Sequence, residues 1–427
     1  MPRSDFTLPG HSLFYWKSWC YNIAGAKKAL PKKRCFSSGP DYLMDEGKST
    51  VEQANTSITK KCIGFFKKNT VMCIAALLAV TTSFFVPPDK TWLGYFDLRT
   101  LTCLFLTLAV ICALKDIRFF GIVAQRIVVT TGNLRLLTLA LVYITFIGSM
   151  LIANDMALIT FLPLGYFALS VTKNEEKMAY IFILQNISAN LGGMLTPFGN
   201  PQNLYLYSHY GIPTDEFVKI MFPPFVLAIA MLTAACFLLP RTPLVIRDDS
   251  GQTLNRKRTA LYLALFAFSL LIVFRLIPYW AGLILIPLVL VFADRKAFAE
   301  VDWGLLATFA LFFVFSGNMA RIPAVQDFVG NLLGKSPLLV SIGSCQFISN
   351  VPSAILLSRF TDNYRELLLG VNIGGTGTLI SSLASLITFS HYRTLRPGHT
   401  KKYLALFAIM NIIFLVVMTL SAWFFFR

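Results

Sequence analysis

Long apolar segments recur along this chain from Val71 to its C-terminus, and they restrict the possible fold severely. Of the 427 residues, 56% are hydrophobic and only 14% are charged. A soluble domain of this length needs many more charged side chains to cover its surface. Segments this long and this apolar are typical of helices that cross a lipid bilayer. The sequence therefore predicts an all-α polytopic membrane protein, with the bilayer as its surroundings.

Two polar, glycine-rich stretches interrupt these apolar segments. The first reads "NLGGMLTPFGNPQNL" at 190–204, and the second reads "NIGGTGTLISSLASL" at 372–386. They align without a gap at an offset of 182, which matches their first Asn and their paired glycines. A polar tip between two apolar segments precedes each stretch, with Asn154 in the first tip and Asn350 in the second. These matches predict an internal repeat.

Each half of the repeat has the same order of elements: two helices, an amphipathic stretch, a hairpin, a broken helix and a last helix. The halves cover 71–240 and 282–427, and 241–281 supplies a cytoplasmic loop and one connecting helix. One extra crossing inverts the second half, so the sequence predicts two inverted repeats of the kind found in secondary transporters. The prediction comprises about 11 membrane elements, namely nine crossing helices and two re-entrant hairpins. Residues 1–70 are predicted to be a basic, disordered tail.

The positions of Lys and Arg predict the orientation in the membrane. The tail holds 12 Lys and Arg against 5 Asp and Glu, and 29 of the 38 Lys and Arg fall on the side of the tail. Cytoplasmic loops carry such an excess, so we expect a cytoplasmic N-terminus, an external C-terminus and a plasma or inner membrane location. This distribution accounts for the net charge of +17. Nucleic acid is not an expected partner, because that would require a folded basic face with interleaved aromatic residues.

Other chemistries lack the residues that they need. The eight Cys are scattered without C-x-x-C spacing, and the "GKST" at 47–50 has Tyr42 where a phosphate-binding loop requires Gly. The apolar segments show no nucleophile–base pair and no set of metal ligands. We therefore expect no enzymatic activity and no cofactor other than a coupling ion. A passive channel is disfavoured, because it does not need inverted broken helices.

The breaks themselves predict a binding site. Interrupting a membrane helix frees backbone groups, which persist only where they line a cavity or are buried in protein. Freed carbonyls and the oxygens of Asn, Thr and Ser suit a small hard cation, whereas the N-termini of half-helices suit an anion. The predicted ion- and solute-binding residues are Asn154, Asp155, Thr196, Gly199, Asn200, Asn203, Asn350, Gly374, Gly375, Thr376, Thr378, Ser382 and Ser385. Asn154 and Asn350 are the predicted sodium ligands.

Each of these residues also has a plainer interpretation. Asp155 is the one carboxylate expected at membrane depth, which favours cation binding or proton coupling, but it could instead cap the helix that follows. Asn at a hairpin tip favours turns, and Asn within a membrane also joins helices by hydrogen bonds. Ser commonly bonds back to its own helix.

The pairing of an Asn at a hairpin tip with a glycine-rich polar break resembles the ion transporter superfamily. "IANDMALITFLPL" is similar to the arsenite exporters of that superfamily, and "TPFGNPQN" and "SNVPS" are similar to the citrate-transporter-type permeases. Relatives include divalent anion:sodium symporters. Their Ser-Asn-Thr signature is replaced here by Ala153-Asn154-Asp155 and Ser349-Asn350-Val351. The resemblance covers about 70–426, and it also implies a homodimer.

The sequence as a whole predicts a secondary transporter that moves a small anion with sodium, or with protons, as the coupling ion. The anion would be citrate, another carboxylate or an inorganic oxyanion. The alternatives are an efflux permease for arsenite or another metalloid, and a sodium/proton antiporter. In either alternative Asp155 would carry the proton.

Overall fold

The computed structural model describes residues 69–246 and 253–425. The chain divides into two units, Met1–Ile74 and Ala75–Arg427. Of the first unit, the structure describes only the residues that begin the helix Thr70–Ser83. Nearly all of the predicted tail 1–70 and the C-terminal Arg427 lie outside the described residues. The boundaries predicted for the two repeats remain predictions.

The described residues form α-helices joined by short loops, together with four short 3-10 helices at Lys90–Tyr95, Glu175–Lys177, Gly193–Leu195 and Pro397–His399. The α-helices are α1 (Thr70–Ser83), α2 (Leu98–Asp116), α3 (Phe119–Val129), α4 (Leu134–Ile152), α5 (Asn154–Val171), α6 (Met178–Gly192), α7 (Pro201–His209), α8 (Thr214–Phe237), α9 (Arg256–Val273), α10 (Tyr279–Ala293), α11 (Arg295–Glu300), α12 (Trp303–Met319), α13 (Pro323–Lys335), α14 (Pro337–Ile348), α15 (Asn350–Leu357), α16 (Tyr364–Ile373), α17 (Leu383–Leu395) and α18 (Thr400–Phe425).

Several of these helices have the length and composition of membrane spans, as the sequence predicted. Among the described residues, six helical segments qualify, and a seventh qualifies if α12 and α13, which meet at a 98° bend, are counted as one span. The six are Leu98–Asp116, Leu134–Ile152, Asn154–Val171, Glu175–Leu195, Thr214–Phe237 and Pro397–Phe425. The all-α membrane fold is therefore confirmed. The count of nine crossings and two hairpins remains a prediction, since both arms of the first hairpin are long enough to span.

Two hairpins turn on a single residue each. α4 and α5 form the first hairpin around Ala153, and α14 and α15 form the second around Ser349. Ala153 has φ 65° and ψ 151°, and Ser349 has φ 74° and ψ 160°. This region of backbone space is almost restricted to glycine, because the side chain of an L-residue clashes there. The two tips thus share one strained conformation, each directly before its Asn.

Two helices are broken, as the polar stretches predicted. In the first, α6 continues into the 3-10 turn Gly193–Leu195 and α7 begins at Pro201; we define residues 193–200 as the first break. In the second, α16 ends at Ile373 and α17 begins at Leu383; we define residues 374–382 as the second break. Pro201 and Leu383 are 182 positions apart, so both half-helices restart at the same point of the aligned repeats.

The hairpins and broken helices of the two halves pack against one another. In each half the first arm of the hairpin packs against the helix before the break, α4 against α6 and α14 against α16. α17 of the second half packs against α5 and α6 of the first half, and α15 packs against α7. These contacts bring the hairpins and the broken helices of the two halves together, while Thr378 and Ile380 of the second break remain exposed.

Candidate functional site

The two hairpin tips present their Asn side chains in the same way. Asn154 and Asn350 are both buried. The Oδ1 of Asn154 accepts the backbone N–H of Asp155 at 3.0 Å, and the Oδ1 of Asn350 accepts that of Val351 at 2.9 Å. Each side chain thus accepts a hydrogen bond from an N–H group in the first turn of its helix that has no partner within the helix. The amide oxygen of each tip Asn is therefore paired with the helix that the residue begins.

The first tip contacts an amide that the sequence prediction had not included. The Nδ2 of Asn154 donates to the Oδ1 of Asn190 at 3.2 Å. The hydroxyl of Ser382, from the second break, donates to the same oxygen at 2.7 Å. Asn190 lies in the last turn of α6 and is 2% exposed. It therefore joins the first tip to the second break.

A second set of amides joins the two broken helices directly. The Nδ2 of Asn372 donates to the Oδ1 of Asn203 at 2.6 Å, and the Nδ2 of Asn200 lies 3.4 Å from both the Oδ1 of Asn372 and the backbone oxygen of Asn190. One turn earlier in α6 than Asn190, the Nδ2 of Asn186 donates to the hydroxyl of Ser385 at 3.2 Å. These hydrogen bonds link the two halves of the chain.

Asn190 and Asn372 were missed as site residues although the repeat alignment already paired them. They occupy equivalent positions, 182 residues apart, at the ends of α6 and α16. Identical polar residues at matched positions of two buried helices are a usable signal. Asn186 offered a weaker signal, because it sits one helical turn before Asn190.

Two of the three predicted threonines connect the breaks to the hairpins by hydrogen bonds. The hydroxyl of Thr196 donates to the backbone oxygen of Met150 at 2.8 Å, and that of Thr378 donates to the backbone oxygen of Gln346 at 3.0 Å. These two bonds are equivalent in the repeat alignment. Thr376 instead donates back to Ile373 in its own helix at 2.7 Å. In the structure, all three hydroxyls thus donate to backbone oxygens and stabilise the local backbone.

The predicted glycines serve close approach of the backbone. A Cβ added at Gly199 would overlap the backbone oxygen of Gly193, and one added at Gly374 would lie 2.8 Å from the Cβ of Cys345. At Gly375 an added Cβ would lie 3.1 Å from the Nδ2 of Asn350. Side chains at these positions would push the breaks away from the hairpins that they contact.

The freed carbonyls of the first break already have hydrogen-bond donors. The Nδ2 of Asn203 lies 3.1 Å from the oxygen of Gly193, 3.2 Å from that of Met194 and 3.3 Å from that of Thr196. One side-chain amide thus stands in for the helical N–H groups that the break removed. Each of these carbonyl oxygens retains a second lone pair.

Other oxygens in this region lack donors among the described residues. They belong to the side chains of Asn186, Asn200, Gln202 and Asp155, and each of these atoms is buried. Asn200 is 1% exposed and begins α7 without a side-chain cap. A buried polar group without a partner costs about 1–3 kcal/mol, so these oxygens are candidate acceptors for water or ligands for a cation.

Comparison with known proteins agrees with this architecture. The sequence profile of a family described as citrate transporter matches residues 58–364. An uncharacterized transporter of Methanocaldococcus jannaschii is 32% identical over 331 residues, which cover 76% of this chain and 89% of that protein. The inner membrane protein YbiR of Escherichia coli is 29% identical over 324 residues, covering 73% of this chain and 84% of that protein.

The family match extends over most of the chain and includes both hairpin tips and the whole first break. It confirms the resemblance to the ion transporter superfamily, and it points to transport rather than catalysis. The apolar helices show that the protein is embedded in the lipid bilayer as a multi-pass membrane protein. The chain therefore belongs to the citrate transporter family of membrane transporters.

Proposed function

We propose that this transporter moves a small anion, of the carboxylate or inorganic oxyanion class, together with sodium. The observation that carries the proposal is the surplus of buried oxygen acceptors around Asn190 and Asn200. Sodium is a small hard cation and takes oxygen ligands. A cation would give the unpaired oxygen of Asn200 a partner.

The anion would bind through helix N-termini and the bound cation. The start of α7 at Asn200 has no side-chain cap. Pro201 has no N–H and the N–H of Asn203 donates to the backbone oxygen of Asn200 at 3.1 Å, so the N–H of Gln202 is the group that would meet a negatively charged ligand. The start of α17 differs, because the hydroxyl of Ser382 accepts the N–H of Ala384 at 3.1 Å. No Lys or Arg takes part in the hydrogen bonds described above for the tips and breaks. A bound sodium ion would therefore provide the main positive charge for the anion.

Reconstituted protein tests this proposal directly. Uptake of citrate, of shorter carboxylates and of inorganic oxyanions should be measured with and without an inward sodium gradient. We expect at least one of these anions to accumulate only when sodium is present outside. Equal uptake with potassium in place of sodium would contradict sodium coupling.

One observation favours the proton-coupled alternative. The Oδ1 of Asp155 is buried and lacks a hydrogen-bond partner among the described residues. A carboxylate in that position could carry a proton in a sodium/proton antiporter or an efflux permease for a metalloid such as arsenite. Asp155→Asn separates the two readings: it should abolish a proton-driven flux, whereas it should only weaken sodium affinity in the symporter.

Two further features belong to the same proposal. The resemblance implies a homodimer, and the excess of Lys and Arg favours a plasma or inner membrane location with the N-terminus in the cytoplasm. Cross-linking of the reconstituted protein and labelling of its loops test these features.

A further inference from the structure

Gln346 lies in the last turns of α14, the first arm of the second hairpin, and its side chain reaches the second break. Its Nε2 donates to the backbone oxygens of Gly374 at 2.9 Å and Thr376 at 3.2 Å. Its Oε1 accepts the backbone N–H of Thr378 at 2.9 Å. The backbone oxygen of the same residue accepts the hydroxyl of Thr378. One residue thus pairs with four polar groups of a five-residue segment.

The backbone of the second break is shaped around this side chain. Gly377 has φ 124°, a conformation that L-residues rarely adopt, and a Cβ at that position would overlap the Oε1 of Gln346. The amide nitrogen of Gln346 also lies 3.1 Å from the backbone oxygen of Ile342 in its own helix, which fixes the orientation of the amide group. The amide group of Gln346 therefore has one orientation, in which its nitrogen faces backbone carbonyls and its oxygen faces the N–H of Thr378.

In the first break, a different residue donates the hydrogen bonds to the freed backbone carbonyls. There Asn203, located after the break, donates to the carbonyls of Gly193, Met194 and Thr196. The residue that corresponds to Gln346 in the first hairpin is Met150, which contributes only its backbone oxygen. The two halves therefore stabilise their breaks from opposite directions, from within the broken helix in one case and from the hairpin in the other.

We propose that Gln346 is a positioning residue for the ion site, holding the second break in the shape that places Asn350 and Ser382 for binding. Two further contacts connect the break to these residues: the backbone N–H of Asn350 donates to the oxygen of Ser381 at 3.0 Å, and Ser382 reaches Asn190 of the first half. A shift of residues 374–378 would therefore displace both Asn350 and Ser382. This inference rests on the proposed sodium coupling.

Two substitutions separate hydrogen bonding from packing. Gln346→Met keeps the length of the side chain but removes its donor and its acceptor. Gln346→Glu keeps the size and one acceptor, but it turns a carboxylate toward the oxygens of Gly374 and Thr376. Gln326→Met, on the exposed face of α13, makes the same chemical change away from the site and serves as the control.

The measurements are binding of radiolabelled sodium to the purified protein and amide hydrogen exchange of the peptide that covers 374–382. We expect both Gln346 variants to raise the sodium concentration for half-saturation by roughly tenfold or more, with Glu at least as severe as Met. Amide hydrogen exchange of the 374–382 peptide should accelerate. The melting temperature and the number of sodium ions bound per protein should stay close to those of the wild type. The Gln326 variant loses one exposed hydrogen bond, to the backbone oxygen of Ala320, but it should match the wild type in sodium affinity and in exchange of the 374–382 peptide.

The outcomes distinguish the inference from the function on which it rests. If wild-type protein binds no sodium, the proposed coupling ion is wrong and the role of Gln346 at a sodium site falls with it. If the wild type binds sodium and Gln346→Met behaves like the wild type, packing is sufficient and the inference is overturned. Faster exchange with unchanged sodium affinity also overturns it, since Gln346 would then stabilise the break without positioning the site.

Discussion

Single residues with unusual backbone angles define the tips of both hairpins. Ala153 and Ser349 adopt positive φ angles of 65° and 74° in a region that glycine would occupy without strain. The strain is held in place because each tip is fixed by neighbours. The Asn that follows each tip residue accepts the next backbone N–H of its own helix, and Ser349 also donates to the backbone oxygen of Ser381. Strain at matched positions of two repeats, next to candidate ligands, is typical of a site that must keep one geometry.

Ala153→Gly should stabilise the protein. Relief of the backbone strain gains about 1–3 kcal/mol, against about 0.5–1 kcal/mol for the added freedom of glycine in the unfolded chain. We expect a higher melting temperature in detergent. Ala157→Gly, four residues on in the buried interior of α5, should have the opposite effect because glycine disfavours helix. A lower melting temperature for both variants would show that Ala153 is not strained.

Removing either tip amide should weaken sodium binding. Asn154→Ala removes the donor to Asn190, and Asn350→Ala removes the matching amide beside Gly375. Loss of one ligand or one buried hydrogen bond corresponds to about 1–3 kcal/mol, so the sodium concentration for half-maximal uptake should rise roughly tenfold or more. Sodium titrations of uptake in proteoliposomes measure this.

The control for these variants is Asn331→Ala, an exposed Asn on α13. It should leave the sodium dependence unchanged, and melting temperatures should be compared in parallel. Wild-type sodium dependence in both tip variants would remove the tips from the ion site.

At the scale of elements, an ion pair holds the 3-10 helix Lys90–Tyr95 against the bend between α12 and α13. Arg321 donates to Asp89 at 2.8 Å, to Thr91 at 2.9 Å and to the hydroxyl of Tyr95 at 3.1 Å. Hydrogen bonding from the Arg321 guanidinium is the largest cause that lowers the pKa of Asp89 to about 2. The connection between the first two helices is thus fixed to the second half of the chain.

Asp89→Asn should lower the melting temperature slightly, by an amount that depends on pH. Because the folded-state pKa is lowered, the stabilisation is fully present above the ordinary value of 3.8 and is lost as the pH falls toward about 2. The difference in melting temperature between wild type and variant should be constant from neutral pH down to about pH 4 and should shrink below it. The pair is exposed, so the effect is small at high salt. A difference that grows on acidification would contradict this assignment.

At the scale of the whole molecule, ion pairs connect loops that the sequence assigned to the same side of the membrane. One pair of loops on the predicted cytoplasmic side is joined by Lys115 and Glu300, and another by Glu175 and Arg396. On the predicted external side the ion pairs are Asp89–Arg321 and Glu216–Arg365. These contacts support the grouping of the loops, while the choice of the cytoplasmic side still rests on the Lys and Arg count.

Cysteine labelling on a cysteine-free background tests the predicted topology. Single cysteines at Thr253, in the loop before α9, and at Arg427 should react from opposite sides of the membrane. The excess of Lys and Arg in the loop 241–258 places Thr253 on the cytoplasmic side. Labelling of both positions from one side would contradict the inverted repeat.

The sequence by itself determined the class of fold, the positions of both hairpin tips and both breaks, and the family. These features depend on local properties: apolar length, the helix-breaking effect of Gly and Pro, and a repeat that can be aligned. The amphipathic stretch predicted in each half corresponds to a helix, α3 in the first half and α13 in the second.

Only the tertiary structure decided which side chains meet. The contacts of Asn190 with Asn154 and Ser382, and of Gln346 with the second break, join residues that are 28 to 192 positions apart in sequence. No local pattern specifies such pairs, because they depend on how the hairpins of one half pack against the broken helix of the same half and the helices of the other. The tertiary structure likewise decided that the freed carbonyls are satisfied by Asn203 and Gln346, since a broken membrane helix persists only where neighbouring elements supply the missing hydrogen bonds.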